Sequence, residues 1–255
     1  MTKAAKLPEW FTLSEQLTPL TFKRLDLALS NLDLPIEVKQ QPLQAFWHLL
    51  NVLYIANKAN REGMHANALS ITRQCIECIS LIEIGLSRHP EAFDLLSRWN
   101  ADKVRPGDLR KWLQENVWAS YGNGLWSESW SDYMAALAKS LQPYAHYAAP
   151  LSQWYGRLHD FQKSEDNSHY LGVIELGPKT YDPQKATRIT LYHAVISYTL
   201  ARIWAAAYGI DDIEFLALVE RLRIALGVSH YFEGDGTKWD QQFWALLWFP
   251  NGNPE

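Results

Sequence analysis

With 255 residues, 47% of them hydrophobic and 20% charged, the chain can build a large core and lacks the composition of a disordered or fibrous protein. A formal net charge of -4 offers no bulk attraction to phosphate backbones or anionic lipid, so an RNA partner draws no support from charge. The opening MTKAAKLPEW has lysines without an apolar run behind them, so no signal peptide or membrane anchor is expected, and a cytoplasmic location follows by default.

In chain order, Thr18 before Pro19 reads as a helix start, with Leu20, Leu25, Leu27 and Leu29 at helical spacing to about Asn31. Asp33-Leu34-Pro35 offers a second start, Pro42 interrupts or restarts that helix, and Leu43 to Arg61 then continues to a stop at Gly63. From His65 to Leu86 runs the most hydrophobic helix of the first half, apolar over most of its circumference and therefore expected at the centre. Its two cysteines, Cys75 and Cys78, sit mid-helix without further ligands and read as core thiols.

Pro90 and Pro106 open two shorter helices, to about 101 and 118. Tyr121-Gly122-Asn123-Gly124 is a turn, and Ser129 with Asp132 resembles a capping box for a helix ending near Leu141. Pro143 and Pro150 break the pattern again, and a helix is expected from Leu151 to about Phe161. Between Lys163 and Asp182 the helical period disappears, apart from one β-like run, His169 to Leu176. A long helix to Tyr208 follows from Pro183 or Gln184, Asp211 or Asp212 caps another to about Gly227, and Trp239 to Trp248 forms a last apolar turn or two. The stretch Ile189 to Tyr208 is long enough to span a bilayer, but His193 and Arg202 within it favour a buried core helix.

The expected fold is therefore all-α, a multi-helix bundle over residues 1-162, an irregular connector over 163-182, and a C-terminal helical pair within 183-255 packed on the bundle as one compact unit. Most of the twelve tryptophans stand at helical spacing beside other apolar residues and should fill volume between helices.

Chemistry-bearing residues concentrate in two places. Gln142, Tyr144, His146 and Tyr147, followed by Trp154, Tyr155, Arg157, His159 and Asp160, fall in a proline-bounded irregular region suited to lining a pocket. Arg73 and Glu77, at i and i+4, share the narrow polar stripe of the central helix and form either a buried bridge or part of a site. The spacing of His146, His159, Asp160 and His169 fits no metal-binding pattern, so no metal and no cofactor is expected. No nucleophile elbow, P-loop or dinucleotide glycine fingerprint is present.

The run Ala68-Leu69-x-x-x-Arg73-x-x-x-Glu77, followed by a tryptophan-rich turn and a histidine-bearing helix, resembles helical bundles of the HEPN superfamily over about residues 40 to 160. That resemblance implies a protein of the bacterial defence or toxin-antitoxin type, with a protein partner or a homodimer. Many HEPN ribonucleases carry an R-x(4 to 6)-H motif that cleaves RNA without metal. Arg188 to His193 and Arg223 to His230 match it here, although Arg188 and His193 would project about 140° apart on an ideal helix. The function expected first is a binding or interaction module using a groove lined by Arg73, Glu77, Tyr144 and His146. Two alternatives stand beside it, a dimeric, metal-independent ribonuclease using Arg188 and His193, and a pocket for a small aromatic or nucleotide ligand.

Overall fold

The computed structural model describes residues 7-146, 149-165, 170-177, 179-209 and 211-229. Its helices are α1 (Glu9–Ser30), α2 (Ile36–Arg61), α3 (His65–Thr72), α4 (Cys75–Leu86), α5 (Ala92–Asn100), α6 (Pro106–Asn116), α7 (Trp130–Leu141), α8 (Ala149–Ser152), α9 (Pro183–Tyr208) and α10 (Ile213–Gly227). Between α8 and α9 a hairpin pairs β1 (Gly156–Lys163) with β2 (Tyr170–Leu176). The protein is thus an all-α multi-helix assembly with one small antiparallel addition. No described helix is long and apolar enough to cross a membrane. The expected apolar turn at Trp239 to Trp248 lies outside the described residues.

Helix α1 begins well before the expected start at Thr18-Pro19. Trp10, Leu13 and Leu17 continue the buried stripe of Leu25 and Leu29 upstream, and that burial holds the chain helical through Pro19, whose ring faces solvent. Pro42 likewise lies inside α2 rather than ending it. Its buried ring packs against Gly85 of α4, where a Cβ would stand only 2.7 Å from the Pro42 Cβ, so the glycine is what lets these two helices approach. Gly63 ends α2 with φ +79°, and a Cβ there would meet the Tyr181 backbone nitrogen at 2.8 Å.

The expected continuous helix from His65 to Leu86 is two helices. At the junction the Gln74 and Ile76 amides bond to carbonyls three residues back, Ile71 and Arg73, which tightens the backbone into a bend. Every residue of α4 except Glu77 is buried, and α4 packs on α1, α2, α5, α6 and α9. Both cysteines are enclosed and free, and burial pushes the Cys78 thiol up to about 12.

The expected helix from Leu151 to Phe161 is overturned. After Ser152 comes a short 3-10 turn over Gln153–Tyr155, then β1. The β-like run read up to Leu176 is β2, and its backbone groups are satisfied by pairing Gly156 with Leu176 through Lys163 with Tyr170, across an irregularity at Leu158/Asp160. Local propensity did not decide this segment, because a strand is stable only when a partner is present. β1 also runs across residue 162, where the first bundle was expected to end.

Polar latches fasten α9 to the rest. His65 accepts the Asp182 amide at Nε2 (3.0 Å), so its Nδ1–H donates to Asn60 Oδ1 (2.9 Å), while the Asn60 amide donates to the Ala186 carbonyl (2.9 Å). The buried Lys185 ammonium donates to the Gly156 carbonyl at the start of β1. At the far end Arg24 pairs with Asp212 at 2.6 Å and lies over the Phe215 ring, which fastens α10 to α1.

Of the nine described tryptophans, Trp10, Trp118, Trp130 and Trp154 are buried, Trp99, Trp112, Trp126 and Trp204 pack partly buried on the core, and Trp47 is 56% exposed. Trp118 donates to Glu83 Oε1 at 2.9 Å. Glu83 is fully buried, and loss of solvent pushes its carboxyl up to about 8 despite the Trp118 donor. Because the folded value exceeds the ordinary 4.5, the native state holds a proton that the unfolded chain releases. The contribution of Glu83 to stability should therefore fall as pH rises from 4.5 to 8, by roughly a few kcal/mol, while the neutral imidazoles of His65 and His193 act in the opposite sense up to about pH 6.5. The stability difference between the parent and a Glu83→Gln variant, read from denaturant midpoints across this range, should follow that decline; a difference independent of pH would refute the assignment.

Candidate functional site

Three helix faces meet in a cleft of about 570 Å³, a size suited to a small molecule. α1 contributes Phe11, Ser14, Glu15, Thr18 and Phe22, and α2 contributes Leu50, Leu53, Tyr54, Asn57 and Arg61. From α9 come Thr190, His193, Ala194 and Ser197, the i, i+3, i+4, i+7 positions of a single face. The short α9 side chains leave the space between the helices open.

Three contacts set the register of these faces. The Thr18 and Ser197 hydroxyls lie 3.0 Å apart, Phe22 meets Phe46 edge to face with ring centroids 6.2 Å apart, and Asn60 reaches Thr190 Oγ1 at 3.4 Å. Phe22, Leu50, Leu53 and Ser197 therefore lie towards one end of the cleft, and Phe11, Asn57, Arg61 and Thr190 towards the other. Phe22, Leu50 and Leu53 make the first end mainly apolar, while the second carries Asn57, Arg61 and Thr190 beside the Phe11 ring, with Tyr54, 70% exposed, at the rim.

His193 is held by its back nitrogen. The only hydrogen of the Thr72 hydroxyl goes to the Ala68 carbonyl (2.8 Å), so Thr72 Oγ1 can only accept from His193 Nε2 at 3.0 Å. The ring is thereby fixed in the Nε2–H form, which leaves Nδ1 as an acceptor without a protein partner among the described residues. Burial lowers its pKa from 6.5 to about 4, so it stays neutral at physiological pH. Glu15 and Arg61 enter no ion pair or hydrogen bond among the described residues.

No family profile, curated protein or solved structure matches this chain. The site must be read from its own chemistry.

The residues singled out from sequence are divided by the fold. Arg73 donates to both carboxylate oxygens of Glu77, at 2.6 and 2.5 Å, and to Gln142 Oε1 at 3.1 Å. Tyr144 is buried, edge to face with Trp154 at 6.0 Å, whereas His146 two residues on is exposed. Glu77 also borders a shallower hollow with Gln41, Gln44, His48, Gln74, Cys78, Leu81 and Trp99. Arg188 is only 2% exposed, lies near the Tyr192 ring and is not among the residues that line this cleft with His193. Arg223 is taken up by Glu220 and the Leu125 carbonyl, and its motif partner His230 lies outside the described residues, as does His169. Among the described residues no three His, Cys, Asp or Glu side chains gather as metal ligands.

Sequence reasoning reached His193 but not Glu15, Tyr54, Asn57 or Arg61. One faint signal existed, since Tyr54, Asn57 and Arg61 stand at i, i+3 and i+7 on the otherwise solvated face of α2, an aromatic among polar groups.

His193 should titrate near pH 4, with its nitrogen shifts reporting the Nε2–H form throughout pH 5 to 8. The folded value lies below the ordinary 6.5, so the stability this ring contributes is present above pH 6.5 and is lost as pH falls towards 4, on the order of 3 kcal/mol. A nitrogen-resolved NMR titration checks both points; a midpoint near 6.5 or a proton on Nδ1 would contradict the geometry.

Proposed function

We propose that the protein is a small-molecule-binding module whose site is the cleft between α1, α2 and α9. The observation that carries this reading is His193, which lines the same space as Arg61, Glu15 and Asn57 with Nε2 held by Thr72 and Nδ1 without a protein partner among the described residues. A neutral imidazole held in one tautomer, with no protein donor to satisfy it, is a preorganised hydrogen-bond acceptor. Aromatic and aliphatic walls beside it supply apolar contact, the usual composition of a ligand site.

The Arg73–Glu77 face is a weaker candidate for partner binding. Its guanidinium is already occupied by Glu77 and Gln142, and a partner would have to replace those bonds before gaining any. Ribonuclease chemistry through Arg188 and His193 also lacks support in the geometry, since the arginine is buried away from the cleft. A role in bacterial defence or in a toxin-antitoxin pair, as the HEPN resemblance implies, would on this reading be exercised through ligand sensing.

Native mass spectrometry of protein purified from cells should reveal a retained non-covalent ligand. Arg61→Ala should weaken its binding about tenfold or more, the loss expected of one charge-assisted hydrogen bond. The melting temperature of the apo form should stay close to that of the parent, because Arg61 is exposed. An apo mass together with no thermal shift from a broad metabolite panel would rule the reading out.

A further inference from the structure

We infer that the cleft takes a free α-amino acid with an apolar side chain, a deduction that rests on the cleft being the binding site. The argument begins with charge. Glu15 on α1 and Arg61 on α2 line one cavity, yet neither pairs with the other nor with any other described residue. A purely anionic ligand that reached Arg61 would also meet the Glu15 carboxylate, and a purely cationic one that reached Glu15 would meet Arg61. Like charges on the walls of one cleft oppose binding, whereas a ligand carrying both signs turns each wall charge into an attraction.

Hydrogen-bonding capacity divides in the same way. Glu15 and His193 Nδ1 can only accept, which suits the three N–H donors of an ammonium group. The Arg61 guanidinium and the Asn57 amide donate, which suits a carboxylate. These groups belong to the half of the cleft from Glu15 and His193 towards Arg61, while Phe22, Leu50 and Leu53 close the other end. A molecule with ammonium and carboxylate on one carbon and a hydrocarbon or aromatic side chain matches that order along its length. The volume of about 570 Å³ admits a phenylalanine-sized ligand with a few waters.

Calorimetric titration of the full chain with phenylalanine, leucine, the deaminated acid of phenylalanine and its decarboxylated amine tests this. The two amino acids should bind, and the acid and the amine should each bind at least tenfold more weakly than phenylalanine. Glu15→Gln should remove most of the preference for phenylalanine over the acid, and Arg61→Gln most of the preference over the amine. Both side chains are exposed, and circular dichroism and melting temperature are expected to match the parent. Equal binding of the acid or the amine, preferences unchanged in the variants, or no binding by any of the four overturns the inference. If native mass spectrometry then shows a retained ligand that is not an amino acid, the cleft remains a binding site and only the ligand class falls.

Discussion

Helices α4 and α9 have almost no face left for water. In α4 only Glu77 escapes full burial, and α9 is enclosed along most of its length. A polar atom on such a helix loses its hydration on folding, at a cost of about 1 to 3 kcal/mol if nothing replaces it. Interior partners are therefore required, and they tie distant elements together. Glu83 takes the Trp118 indole, Tyr133 donates to Thr199 at 2.8 Å, Tyr198 donates to the Gly124 carbonyl at 3.0 Å, and Arg202 reaches the Tyr121 carbonyl at 2.6 Å.

The candidate site lies where α9 is not enclosed and one of its polar side chains keeps an open nitrogen. Thr72 satisfies one nitrogen of His193 and nothing described satisfies the other, because on this face of α9 the residues Thr190, Ala194 and Ser197 are too short to fill the gap to α1 and α2. One anchoring bond thus does two things. It holds the ring against the bend between α3 and α4, and it decides which nitrogen faces the cleft. Burial then keeps the ring neutral, so its role at physiological pH is to accept a hydrogen bond rather than to carry charge. The charges of the cleft come instead from Glu15 and Arg61 on its outer walls, where water can still reach them.

Much of the fold could be read along the chain. The enclosed segment around Cys75 to Leu86, the cap at Ser129, the long helix to Tyr208 and the Asp212 cap are all present, and each rests on a local cause such as an apolar stripe, a side-chain acceptor for end amides, or a proline at a first turn. Departures occur where a distant contact outweighs local preference. Pro19 and Pro42 sit inside helices because burial on either side of them holds the helix together, and Gly156 to Lys163 is a strand because Tyr170 to Leu176 lies beside it. The candidate site was less legible. His193 stood out as a polar interruption of an apolar run, but its five-residue spacing from Arg188 drew attention to an arginine that is buried and does not line the cleft.

The amino-acid sequence by itself determined that the chain is helical, that two of its segments must be central, and where most helices begin and end, because those properties depend on side-chain periodicity and on capping within a few residues. Only the tertiary structure decided which histidine nitrogen is free, which charges stay unpaired and which three faces enclose a space. Those features arise from contacts between residues far apart in the chain, Thr72 with His193 and Thr18 with Ser197 among them, and no local pattern encodes the rotation of one helix against another.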